Sequence, residues 1–186
     1  MRGVPENVVI LSREALNELI AANRIIAGTN VDLARVPLGL AVRAGTPKPD
    51  VSTVEAVKQL LLNAKTIAVL GSTSGIWLIT DLFPRLGIAE KVSVTATPTR
   101  HGRNQHVAAG EAEIAVMPVG EILDPTGVDF AGTIPPEIQF VQVFSAAVVV
   151  RSKQIEDSKR LIEFLASERA SEAIRNSGME PLANSR

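Results

Sequence analysis

The chain has 186 residues, 46% hydrophobic and 21% charged, with a formal net charge of −1. That is enough apolar material for a sizeable core, and too little net charge for a disordered chain or for a basic field that would attract nucleic acid. Cysteine and tyrosine are absent, and there are five Phe and one Trp; disulfides, thiolate metal sites and thiol catalysis are excluded, and aromatic platforms for bases or sugars are disfavoured.

The opening, "MRGVPENVVILSREALNELI", lacks the apolar stretch and small-residue cleavage site of a secretory signal. No apolar run approaches the roughly 20 residues that a membrane span needs. "NVVIL" (7–11) reads as a strand buried on both faces, followed by a helix to about Asn23 that Ser12 caps. Residues 35–45 read as a strand that ends in the proline-rich "TPKPD". In "STVEAVKQLLLN", Ser52 and Glu55 stand in capping-box spacing ahead of Val57, Leu60 and Leu61. "TIAVL" (66–70) is a strand, and the next helix ends near Leu86, with Gly87 as its stop and Pro84 expected to kink or shorten it.

The alternation continues with a strand at 91–97, a short helix at 103–111, a strand at 112–118 and a helical turn in "VGEIL". Residues 124–138, rich in Pro, Gly and Asp, read as a loop. A long strand, 139–152, and one helical segment, 155–176, complete the chain. Strand–helix alternation predicts an α/β fold with mainly parallel sheets.

Between the strand at 66–70 and its helix lies "LGSTSGIW" (70–77). A helix start presents unpaired N–H groups and a partial positive charge, so Ser72, Thr73, Ser74 and Gly75 can hold an anion there. The competing reading is a simple cap by one hydroxyl. Placement beyond the carboxyl end of a strand brings the ligand reading level with the cap, and Gly71 and Gly75, lacking Cβ, let a ligand approach the backbone.

Several segments in order, "VDLARVPLGLAVRAGTPKPDVSTVEAVKQLLLNAKTIA", "TSGI", "RLGIAEKV", "GEAEIAV", "EIL", "GVDFAGTIPPEIQ" and "LIEFLAS", resemble the type 2 periplasmic solute-binding proteins, in particular the molybdate-binding-like members that serve ABC importers. The resemblance implies two α/β lobes, with residues 1–34 and 151–186 in the first, 46–138 in the second, and 35–45 and 139–150 as crossing strands. It implies a small anion, a molybdate-like oxyanion or a small carboxylate, held between the lobes, an ABC permease as partner and a periplasmic location.

In the family, further strand–helix units precede the segment matching "ENVVIL". The first lobe is therefore expected to be incomplete and to self-associate through its uncovered part. A start at Met1 without a signal peptide would leave the protein in the cytoplasm. By position, Ser72, Thr73 and Ser74 would be ligand donors, Thr99 and Arg100 would face the same ligand, and Met117 with Pro118 would form a wall beside it.

Each of these residues has an ordinary alternative. Arg100, His101 and Arg103 can be a solvated loop. Trp77 is expected to pack rather than touch ligand. His101 and His106 lack a convincing third ligand, so no metal and no cofactor is expected. Glu111 and Glu113 read as a solvated edge. No nucleophile–base set is visible, and the sequence points to a binding protein that is not an enzyme. The alternatives are an isomerase of small polycarboxylates with His101 as base, or a cytoplasmic small-anion sensor domain.

Overall fold

Short apolar strands alternating with amphipathic helices bring the chain into two compact units, residues 1–35 with 142–186, and residues 36–141. The computed structural model describes residues 6–97, 105–123 and 127–182. The fold class is the α/β class expected from the alternation.

In the first unit, strand β1 (Val8–Ser12) leads into helix α1 (Arg13–Ala21), whose start is capped as predicted: Ser12 Oγ accepts from the Ala15 N–H at 3.3 Å. β2 (Val31–Arg43) begins here and carries the chain into the second unit. β7 (Val141–Val148) returns, followed by α7 (Ile155–Leu165), α8 (Glu168–Asn176) and β8 (Glu180–Pro181). The strand order is β1–β7–β2, with β8 also on β2, and β1–β7 and β2–β8 are antiparallel. Strand alternation splits the core across the sheet. Ala146 and Val148 face Ile162 and Ala166 of the α7 side, while Ala147 packs with Leu16 of α1 and Ile25. The single helix expected at 155–176 is broken at Ala166–Ser167, where the Ser167 backbone is extended and its hydroxyl bonds the Phe164 carbonyl.

In the second unit come α2 (Val54–Asn63), β3 (Ile67–Leu70), α3 (Thr73–Trp77), a π-helical turn (Leu78–Leu82), α4 (Phe83–Arg85), β4 (Val94–Thr97), α5 (Gln105–Ala108), β5 (Ile114–Pro118), α6 (Val119–Ile122) and β6 (Val128–Thr133). A 3₁₀ turn at Pro136–Ile138 follows. The strand order is β6–β2–β5–β3–β4. One face carries the larger side chains Leu38, Leu40, Ile67, Val69, Ile114 and Val116, packed on Leu61, Leu78, Leu82 and Phe83. The other carries Ala41, Ala68, Ala115 and Met117 with Val107, Ile122 and Val128.

Several local expectations are revised. β3 pairs in parallel with its neighbours β4 and β5, while β2 runs antiparallel to β5 and β6. The cap of α2 is Thr53, whose Oγ1 accepts from the Ala56 N–H, while Ser52 donates its N–H to Asp50. Part of the expected loop at 124–138 is β6, an edge strand on β2. Its Gly and Asp content hid it, and the ladder is irregular beside Gly132, whose φ of +148° is open to glycine alone. Near Pro84 the helical run changes and then ends: the π turn Leu78–Leu82 lies just ahead of it, widening the coil where proline offers no N–H, and α4 stops at Arg85, one residue beyond it.

Two surface details organise the first unit's carboxyl end. Arg35 Nε and Nη2 bond both Glu180 oxygens, at 2.7 and 2.6 Å, and the Leu182 N–H donates to the Leu33 carbonyl. Arg35 thereby holds the Glu180 carboxyl below its ordinary range. A lowered native pKa means that this support is present above the ordinary glutamate value of about 4.3 and is lost as pH falls through the lowered value. We expect the protection of the Leu182 amide against hydrogen exchange to drop on acidification through that window, and E180Q to remove the dependence. An unchanged profile in E180Q would contradict this.

Candidate functional site

β3 lies between two parallel partners, so its carboxyl end, that of β4 and that of β5 stand side by side: Leu70 is opposite Thr97, and Val69 opposite Val116. Ligands in α/β sheets gather at such ends. Three of the sequence-predicted groups leave from this edge, namely the turn after Leu70, the segment after Thr97 and Met117–Pro118. Thr99 and Arg100, with His101 and Arg103, lie outside the described residues.

The turn itself is tight. All four β3 residues are buried, Gly71 is exposed, and Ser72 takes an extended backbone as the N-cap of α3. The Ser72 side chain makes no capping hydrogen bond, while its carbonyl accepts from the Ile76 N–H at 2.9 Å. Ser74 is 0% exposed, and its hydroxyl has no hydrogen-bond partner among the described residues. A buried hydroxyl left so costs about 1–3 kcal/mol, which a fold retains for a reason.

Gly75 has a different role from the one its sequence context implies. A Cβ there would lie 1.7 Å from the Leu70 carbonyl oxygen and 2.8 Å from its carbon. The helix start crosses the strand end in direct backbone contact, so this glycine serves packing within the turn rather than the approach of a ligand. Met117 is likewise corrected: it is 0% exposed within the Ala41–Leu70–Ile122 cluster, a packing residue instead of a ligand wall. Trp77 packs, as expected, stacked on Phe140 with ring centroids 5.0 Å apart.

Other polar groups have local employment. His106 Nδ1 is 2.6 Å from Glu111 Oε2, and Glu113 accepts from the Lys65 N–H. The lowered carboxyls of Asp50 and Glu156 answer to Ser52 and Lys159 respectively. Among the described residues, no group of three or more His, Asp or Glu is placed to hold a metal, and no helix is long and apolar enough to cross a membrane. The pattern "VGEIL" predicts only a helical turn, yet that turn places Glu121, half-buried on α6, just beyond the carboxyl end of β5. An open groove of about 410 Å³, lined by Ala22, Asn23, Arg24, Val149, Val150 and Arg151, belongs to the first unit and not to this edge.

Comparison with known proteins adds to this geometry. Aconitate isomerase from a Pseudomonas species is 34% identical over 97% of this chain and 70% of that protein. The periplasmic molybdate-binding protein of Azotobacter vinelandii superposes with a TM-score of 0.66 at 14% identity, over 95% of this chain and 79% of that one. The substrate-binding protein of an ABC transporter from Agrobacterium tumefaciens gives a TM-score of 0.72 at 14% identity, over 97% of this chain and 65% of that one. These two structures share the fold. The first relative corrects the expectation that the sequence describes a non-enzyme, because a protein this similar is named as an isomerase. Residues 1–180 match a family of bacterial extracellular solute-binding proteins; the chain belongs to that family, and its fold is that of the type 2 periplasmic binding proteins.

Proposed function

We propose that the protein binds an aconitate-type polycarboxylate at the turn Ser72–Gly75 and isomerises it. The observation that carries this reading is Ser74, a fully buried hydroxyl without a partner among the described residues, at a helix start that the Ser72 side chain does not cap. Hydroxyl and N–H donors there would take one carboxylate, aided by the positive end of the helix. Thr99 and Arg100, which follow β4, would take a second; a guanidinium fork suits a planar carboxylate better than a tetrahedral oxyanion. A carboxylate is favoured over molybdate because the 34% identical relative is named for aconitate, whereas the molybdate-binding structure is 14% identical. Isomerisation needs a group that moves a proton, and Glu121 stands at the same sheet edge.

Membership of a solute-binding family favours a second reading of the same site: capture of the anion outside the cytoplasm and delivery to an ABC permease. Proton NMR of trans-aconitate incubated with the protein separates the two. Growth of cis-aconitate signals, abolished in E121Q with binding retained, supports the isomerase. Binding without turnover supports delivery, and absence of binding by any carboxylate contradicts both. In S74A we expect affinity for aconitate to fall by roughly 10- to 100-fold, the value of a hydrogen bond to a charged group, while the melting temperature holds or rises because an unpaired hydroxyl is removed.

A further inference from the structure

We propose that Phe140 is a positioning residue for the turn Ser72–Gly75, acting through Trp77: their stacked rings fix the rotation of α3 about its axis and so aim the donors of the turn. This role rests on the reading of that turn as a carboxylate site. α3 is five residues long, and the Ser72 side chain forms no cap bond to it. A helix that short does not stand by itself and takes its position from what it packs against. Its start meets the strand end at Gly75, backbone against backbone. Of its two large side chains, Ile76 is 59% exposed, whereas Trp77 is half-buried against the core of the second unit. Trp77 is therefore the side-chain anchor of α3. The ring it lies on is Phe140, with centroids 5.0 Å apart and planes 18° from parallel, and both residues belong to the second unit.

The two sides of the stack suit this role. Phe140 has a fixed base: its N–H donates to Gln139 Oε1 at 3.0 Å, and the same side-chain amide bonds the backbone of Leu38 and the Ile134 carbonyl. On the other side, regular α-helix ends at Trp77, because the π turn begins with Leu78. Such turns recur at functional sites; here the setting of α3 is left to Trp77 and not to a continuous α-helix behind it. Ser74 and Trp77 are three residues apart and so share one side of the helix. Rotating α3 by about 15° carries a group about 3.5 Å from its axis through roughly 1 Å. An error of that size spoils the geometry of a positioned hydrogen bond. The stack thus supplies by packing the fixity that a side-chain cap gives other helices.

The test compares the parent with F140L, which stays apolar but loses the ring, and F140Y, which keeps the ring. Without ligand, we expect F140L to speed hydrogen exchange of the Ile76 amide, the one bonded to the Ser72 carbonyl. It should also lower the fluorescence anisotropy of Trp77, the single tryptophan of the chain, while F140Y stays close to the parent. With trans-aconitate, the dissociation constant should rise about two- to tenfold in F140L, the value of an aromatic pair, and F140Y should restore it. Well below the melting temperature, a merely structural loss changes the folded fraction and leaves the affinity of the folded protein alone. Exchange and anisotropy in F140L that match the parent, an affinity that F140L leaves unchanged, or a loss that F140Y shares overturns the proposal. A parent that binds no aconitate contradicts the proposed function instead, and the ligand-free exchange and anisotropy then decide the role of Phe140 by themselves.

Discussion

Substituting alanine for Gly75 is expected to abolish cooperative folding of residues 36–141, a loss of about 4 kcal/mol or more, in the range that marks a specific structural fault. The added methyl would sit 1.7 Å from the Leu70 carbonyl oxygen, and that oxygen is backbone of a central strand with partners on both sides. Relief requires the helix to lift off the strand end. Leu78, Leu82 and Phe83, all at most 1% exposed, ride on the same helical run and would leave their places with it. Ser72 supplies the control: it makes no side-chain cap bond, so S72A should cost less than the roughly 1 kcal/mol typical of a lost cap. Thermal melts followed by circular dichroism decide the matter. A Gly75→Ala protein that melts with the parent would show that the strand and helix are not in contact as described.

Gln139 carries the second large effect. Its Oε1 accepts from the N–H groups of Leu38 and Phe140 at 2.7 and 3.0 Å, and its Nε2 donates to the carbonyls of Leu38 and Ile134 at 3.1 and 3.0 Å. The side-chain amide thus extends the ladder on the Ile134 side of Leu38, where the Leu38 carbonyl also accepts from the Ile134 N–H at 3.2 Å. In Q139A the Leu38 N–H and the Ile134 carbonyl lose this partner, at about 1–3 kcal/mol each, while the Leu38 carbonyl keeps the Ile134 N–H, so we expect a total of about 3 kcal/mol. Q139M, which keeps the volume and removes the amide, should lose nearly as much. Urea titrations with an unchanged slope would report it; a change below about 0.5 kcal/mol, typical of an ordinary surface site, would contradict this role.

Much of the fold was legible because strands and helices here carry strong periodic signals. "TIAVL", "EIAVM" and the Ser12 cap fall where pattern and capping chemistry place them. What escaped depends on partners distant in sequence. Gln139 meets Leu38 across 101 residues, and nothing local distinguishes it from a solvated glutamine. β6 is a strand by virtue of β2, and its glycine and aspartate argue for a loop when read alone. Thr53 and Ser52 are equivalent caps by spacing, and the bond from Ser52 to Asp50 decides between them.

The candidate site shows the same division. The turn at 70–77 is recognisable from hydroxyls and glycines between a strand and a helix. That Gly75 serves the strand, that Met117 is core, and that Ser74 combines full burial with a hydroxyl unpaired among the described residues emerge only from packing.

The central claim is that this turn holds a carboxylate, and its most direct measurement is a titration of the ¹⁵N-labelled protein with trans-aconitate, followed by amide shifts. The account predicts saturable shifts concentrated at Ser72–Gly75, reduced in S74A and not reproduced by molybdate. Shifts absent from that turn, or concentrated instead at Arg24 and Arg151 around the first unit's groove, would contradict it.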